Sequence, residues 1–313
     1  AAINAGFEEV VLDFKNVKYI YPNVAVPIAG IIQYYQSCNI DFTRVDENSS
    51  ITKSSLFEPL KVGDNEGLLA YNPLSRVWQF NNSDEVFVIV NAFLEELVKI
   101  DQFEEGVLNG IEWALNEVMD NVLQHSTVNN GFVMGQIHKS PKHIAFCIFD
   151  FGQGIFNSLR NSSHSPRHPV DALTLCVKEG VTRDKKIGQG NGMFGLHQII
   201  KFNSGQLSIA SGSAAYILKY NKINTVKKIP TISTINGCTT IDFQLDYKKK
   251  VSLLEALKFG NSKYEFVNFR LEQMENDSGE IEYILKDKAQ GFGTRISGAR
   301  VRNEIMNILS EVH

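Results

Sequence analysis

The sequence predicts a mixed α/β protein: a central two-layer α/β sandwich with a small α/β module on either side. Three observations carry that expectation. Between residues 83 and 125 apolar side chains recur at helical spacing, and from 131 to 247 they fall in short, mainly alternating runs. A long Gly- and Ser-bearing stretch divides those runs into two groups. Helices and mainly antiparallel strands gathered in blocks are what a helix layer packed on one sheet produces. The chain has 313 residues, 43% hydrophobic and 21% charged, which is ordinary globular composition with length for two or three modules.

Residues 1–46 open with Val10-Val11-Leu12-Asp13-Phe14 as a buried strand, followed by a turn at Tyr21-Pro22-Asn23. A helix through Ile28, Ile31, Ile32 and Tyr35 and a strand from Ile40 to Val45 complete a β-α-β unit. Residues 47–82, with Asn, Ser, Gly and Pro spread through them, read as irregular connection. The central segment, 83–247, starts at Ser83, suited to cap a helix striped by Val86, Ile89, Val90, Phe93 and Leu97. A second helix, from about Gly106 to His125, buries Ile111, Ala114, Leu115, Val118 and Val122. Strands are expected at Gly131–His138 and His143–Asp150, then a polar and Gly-rich stretch to about Gly192. A helix from Phe194 to Phe202 and strands near Gln206–Ala210, Ala214–Tyr220 and Thr239–Leu245 close the segment. Residues 248–313 are expected to hold a short helix, strands at Glu265–Leu271 and Ile281–Leu285, and a terminal helix presenting Val301, Ile305, Ile308 and Leu309. Gly291-Phe292-Gly293-Thr294-Arg295 ahead of that helix suggests no chemistry.

Composition narrows the function classes. A net charge of −4 and a pI near 6.0 argue against broad electrostatic capture of nucleic acid, although a local basic patch stays open. The longest apolar stretch, Val24 to Ile32, contains Pro27 and is too short to span a bilayer. Cys38, Cys147, Cys176 and Cys238 are scattered without a CxxC pair, so reduced thiols in a cytoplasmic protein are expected, without disulfides or zinc. No secretory signal is legible.

Four polar features interrupt the apolar pattern. Glu117, Asn121 and His125 stand four residues apart on the second helix, nearly above one another. Asp150-Phe151-Gly152-Gln153-Gly154 ends a strand; its carboxylate suits an exocyclic amine, and its glycines let a flat base approach the backbone. Gly188-Gln189-Gly190-Asn191-Gly192-Met193-Phe194-Gly195 runs into a helix, offering free N–H groups and a helix N-terminus to phosphate oxygens. It has no Gly-Lys-Ser/Thr ending, so it is not a Walker loop. Gly237-Cys238-Thr239-Thr240 places hydroxyls at the mouth of a strand. Each alone also reads as a solvated helix face, a turn, a flexible loop or simple strand propensity.

Taken together and in this order, they resemble the motifs of the ATP-binding superfamily of gyrase, the heat-shock chaperone, histidine kinases and mismatch-repair ATPases (the GHKL or Bergerat-type fold). Glu117-x-x-x-Asn121 resembles its N box, Asp150-x-Gly152-x-Gly154 its first glycine box, Gly188 to Gly195 its second, and Gly237 to Leu245 its closing strand. The resemblance covers roughly residues 83–247. It implies ATP with Mg²⁺ held through Asn121, Asp150 on the adenine amine supported by Thr239 or Thr240, and Gly152 and Gly154 lining the base. It also implies Gly188, Gly190, Gly192 and Gly195 wrapping the phosphates and Glu117 as catalytic base. Residues 157–189 would then form a lid whose Arg183, Lys185 or Lys186 meets the γ-phosphate. The first helix, 84–104, contains no His, which disfavours a histidine kinase. Glu117 resembles the base of the hydrolytic branches and of anti-sigma-factor serine kinases, and His125 resembles an accessory residue of the latter.

Residues 1–46 weakly resemble the STAS module that such serine kinases phosphorylate. Where that family holds Asp-Ser-Ser-Gly this chain has Tyr21-Pro22-Asn23-Val24, so the resemblance implies an interaction scaffold rather than a substrate. The expected function is a Mg²⁺-dependent ATPase acting as a conformational switch, with a protein partner or a homodimer. An anti-sigma-like serine/threonine kinase and a non-catalytic nucleotide-sensing module are the alternatives.

Overall fold

The computed structural model describes residues 6–63, 72–128, 130–183, 190–229, 237–257, 269–275 and 281–287. The protein is mixed α/β and divides into two compact units, Ala1–Val251 and Ser252–His313. The first contains β1 (Glu9–Asp13), α1 (Pro22–Ser37), β2 (Asp41–Val45), α2 (Ser49–Lys53), β3 (Trp78–Phe80), α3 (Ser83–Ile100) and α4 (Val107–His125). It continues with β4 (Gly131–Lys139), β5 (Lys142–Asp150), α5 (Gly154–Leu159), α6 (Pro169–Cys176) and α7 (Gly192–Asn203). β6 (Gln206–Ser211), β7 (Ala214–Lys219), β8 (Lys222–Val226) and β9 (Thr239–Asp246) end it. The second unit has α8 (Leu253–Ala256) and an antiparallel hairpin of β10 (Phe269–Glu275) and β11 (Ile281–Asp287); the expected terminal helix lies outside the described residues.

A seven-stranded antiparallel sheet, ordered β3-β4-β5-β9-β6-β7-β8, organises the first unit. Strand alternation assigns each face its own core. Ile148 and Phe146 on β5 register with Ile241 and Phe243 on β9, and these with Ile209 and Leu207 on β6. That face meets the helices: the Phe93 ring of α3 lies 5.6 Å from Phe146, which lies 5.6 Å from Phe243. α4 packs between α3 and α7, and α6 covers β6 and β7. On the opposite face Phe132, Met134, Cys147 and Phe149 share a core with Ala25, Val26, Ala29 and Ile32 of α1. At Gly30 helix and sheet approach closely, since a Cβ there would lie 2.5 Å from the Phe149 ring.

This second core corrects the expected division at residue 46. α1 packs against β4 and β5, so residues 1–46 share a core with the sheet instead of standing apart. The parallel pair β1-β2 is too small to be stable alone and depends on that packing. The segment 47–82 is not merely irregular connection: it supplies α2, capped by Asn48, and β3, which extends the sheet beside β4. Two helix starts differ from expectation. Pro22 begins α1, its missing N–H harmless at N1. Asn82, not Ser83, caps α3, its side chain accepting the Glu85 N–H at 2.9 Å.

The stretch expected to be one long lid is partly built in. Leu159 of α5 and Ala172, Leu173 and Cys176 of α6 are buried, so 169–177 is anchored to the sheet. β8, Lys222–Val226, was hidden in the sequence because all of it is exposed or nearly so.

Candidate functional site

α4 is amphipathic with a polar interruption. Ile111, Ala114, Leu115, Val118 and Val122 are buried, and Glu117 and Asn121 follow one another up the side that meets α7. The first turn of α7 comes so close that a Cβ on Gly192 would lie 2.5 Å from Glu117 Oε2 and 3.5 Å from Asn121 Nδ2. A side chain there would have to push the Glu117 carboxylate aside. Gly190 has φ +74 and runs against Val181, and Asn191 Oδ1 accepts the Gly180 N–H at 3.0 Å, pinning the preceding loop. Gly195 donates its N–H to the Asn191 carbonyl at 2.7 Å, closing the first turn of α7.

The second cluster forms at the C-terminal end of β5. Asp150, Thr239 and Ser211 are cross-strand neighbours on the helix-covered face. Asp150 Oδ1 accepts the Gly152 N–H at 2.7 Å, and Gln153 donates its N–H to the Ser126 carbonyl at 2.8 Å, tying the turn to the end of α4. Ser211 Oγ accepts the Ile155 N–H at 3.0 Å, donates to the Gly237 carbonyl at 3.1 Å and lies 3.2 Å from Thr239 Oγ1. Because the Ser211 proton is committed to Gly237, Thr239 is the donor to Ser211 and keeps its own lone pairs as acceptors. Gly154, with φ +76, sits where a Cβ would be 2.0 Å from the Gly237 carbonyl oxygen. The two clusters lie along α4: from Glu117 to Ser126 is roughly 13 Å of helix.

Both carboxyl groups are displaced toward neutrality. Burial pushes Glu117 up to about 7, reinforced by the negative charge of Asp120 one turn on. Burial likewise pushes Asp150 up to about 7, against the opposing bond from Gly152. Asp150 is buried and Glu117 half-buried; burial pushes Asp242 of β9 up to about 7 as well, so a raised carboxyl marks a candidate only together with its neighbours.

The structure thus brings together Glu117, Asn121 and Gly192, with Gly190 two residues earlier against Val181, and separately Asp150, Gly152, Gly154 and Thr239. Gly195 lies inside α7, and Thr240 registers with Phe149 on the opposite face, so of the two threonines Thr239 belongs with Asp150. Arg183 is partly buried at the end of the pinned loop. Lys185, Lys186 and Gly188 lie outside the described residues, as does the side chain of His125, the last residue of α4. Sequence reading missed Ser211 and Ser126. A serine before Gly212 and one just after a helix are ordinary turn residues, and only strand register and the α4 end give them partners. Among the described residues no group of three His, Cys, Asp or Glu is arranged to hold a metal, and no helix is long and apolar enough to cross a membrane. No protein-family model matches the chain and no curated protein matches it, so the site is read from its own residues and their geometry.

Proposed function

We propose that the 83–247 region binds ATP with Mg²⁺ and hydrolyses it, and that binding and hydrolysis drive a conformational switch in a cytoplasmic signalling or regulatory setting. The observation that carries this reading is the packing of Gly192 onto Glu117 and Asn121, motif residues more than 70 positions apart, with Asp150 and Thr239 near the C-terminal end of α4. Mg²⁺ fits the donors: a carboxamide and a carboxylate are hard oxygen ligands, and this ion is usually held by one or two protein oxygens plus phosphates. When bound, it neutralises phosphate charge. Asn121 would hold it.

The chain's own residues supply the rest. Asp150, ionised, accepts the exocyclic amine of adenine; guanine offers a carbonyl oxygen there and is repelled. The Thr239 lone pairs add a second acceptor. The partial positive charge at the start of α7 suits phosphate oxygens. Glu117, with its affinity for protons near neutrality, takes the proton from the attacking nucleophile. The free thiols fit a reducing compartment.

Calorimetric titration with ATP and GTP, with and without Mg²⁺, tests binding; equal affinity for the two nucleotides would remove Asp150 from its role. The fate of labelled γ-phosphate then decides the activity. Release to water marks an ATPase, and transfer to a partner hydroxyl marks a kinase similar to anti-sigma kinases. Binding without turnover marks a sensing module.

A further inference from the structure

The turn that carries Asp150 is held from behind. Asp150 and Phe151 are consecutive at a strand end, so their side chains leave on opposite faces. Asp150 joins Thr239 and Ser211, while Phe151 packs at the rim of the core shared by α1 and the sheet. There the Phe151 ring stacks on Tyr34, with centroids 4.8 Å apart and planes 28° from parallel, and meets Phe149 edge-on at 4.8 Å. Tyr34 stands one helical turn beyond Gly30 and two beyond Val26, the row of α1 that lies against the sheet. It is the end of the seam between helix and sheet.

The polar ties of the turn include Gly152 N–H to Asp150, Gln153 N–H to Ser126 and the Asn157 side-chain amide to the Gln153 carbonyl. The Gly152–Asp150 bond closes the turn around Phe151 on the site side, and the Phe151 ring stacked on Tyr34 holds it from the opposite face. We propose that Tyr34 is a positioning residue for the base end of the site. Through Phe151 it sets where the Asp150 carboxylate sits, which makes the β1-α1-β2 unit part of the apparatus that selects the base. The inference rests on the nucleotide reading above. It also has a reciprocal consequence: whatever α1 does to base binding, base binding does to α1.

The test uses the full chain and three variants, Tyr34→Ala, Tyr34→Phe and Ile32→Ala, titrated calorimetrically with Mg²⁺–ATP and Mg²⁺–GTP. Ile32 is a buried residue of the same helix and serves as the packing control. Tyr34→Ala is expected to lower ATP affinity about 3- to 10-fold, the range an aromatic pair supplies, while GTP affinity changes little. Tyr34→Phe keeps the parent ATP-to-GTP ratio, and Ile32→Ala lowers the melting temperature but keeps the ratio. An unchanged ratio in Tyr34→Ala, or an equal loss of ratio in Ile32→Ala, overturns the proposal and leaves the nucleotide site standing. A parent chain that binds neither nucleotide overturns both. Should Tyr34→Ala not fold, hydrogen exchange in the parent decides: slowing of the last turn of α1 on adding ATP supports the coupling, and no change defeats it.

Discussion

The two ends of the candidate site are built differently. At the Asp150 end the polar partners are already in place: Ser211 is fully bonded, the turn is tied to Ser126, and glycine carbonyls lie in contact. At the Glu117 end two acids, Glu117 and Asp120, sit one turn apart and both are pushed up by burial. On the nucleotide reading proposed above, the difference implies a division of labour: preformed hydrogen bonds would select the base, while charge at the other cluster would make engagement of the phosphates depend on metal and proton.

The largest expected effect comes from breaking the Glu117 end alone. Glu117→Ala is expected to lower turnover about 10²–10⁴-fold with nearly unchanged nucleotide affinity, because general-base assistance acts only on the chemical step. Single-turnover phosphate release beside a binding titration checks it, and turnover within about threefold of the parent returns Glu117 to a structural role. Breaking the Asp150 end inverts the pattern. Asp150→Asn loses a charge-assisted acceptor and should weaken ATP binding about 10- to 100-fold.

Asn121→Ala sharpens the metal side of the comparison. Its ATP affinity without Mg²⁺ should match the parent, while the gain on adding Mg²⁺ shrinks about tenfold. Magnesium having the same effect on both proteins excludes Asn121 as a ligand.

The smallest effect is on stability, and its sign is fixed. Glu117 and Asp150 titrate near 7 in the folded chain against ordinary values of 4.5 and 3.8. A raised carboxyl pKa means that the folded state holds protons the unfolded state has lost, so its stabilising contribution is full below about pH 4 and disappears as pH rises through 7. The melting temperature of the nucleotide-free protein should therefore fall by several degrees between pH 5 and pH 8. Asp150→Asn should flatten that fall and stabilise the protein at pH 8 by roughly 1–3 kcal/mol. A slope unchanged in the variant would show that Asp150 is ionised throughout.

How much of this was legible in the sequence depended on whether a residue's role is local. The apolar stripes of α3 and α4, the continuous apolar runs of β4 and β5 and the alternation of β9 are local patterns, and those elements lie within a few residues of their expected places. Glu117, Asn121 and Asp150 were found because acids and amides stand out against apolar periodicity. The seam under α1 was not legible, because a β-α-β unit looks the same whether free or docked; Gly30 against Phe149 exists only in three dimensions. Ser211 and Ser126 were missed for the same reason. α6 was read as lid because its eight residues sit in a polar neighbourhood, although its three buried side chains fasten it to the sheet.

The placement of the thiols makes the seam experimentally accessible. Burial pushes Cys147 well above the usual thiol range, Cys176 up to about 12 and Cys238 up to about 11, while Cys38 is exposed one turn past Tyr34 at the end of α1. Thiolate is the reactive form, so an alkylating dye at neutral pH will label Cys38 ahead of the other three. The native chain thus offers a single optical reporter on the helix that backs the Asp150 turn, with no engineered cysteine required.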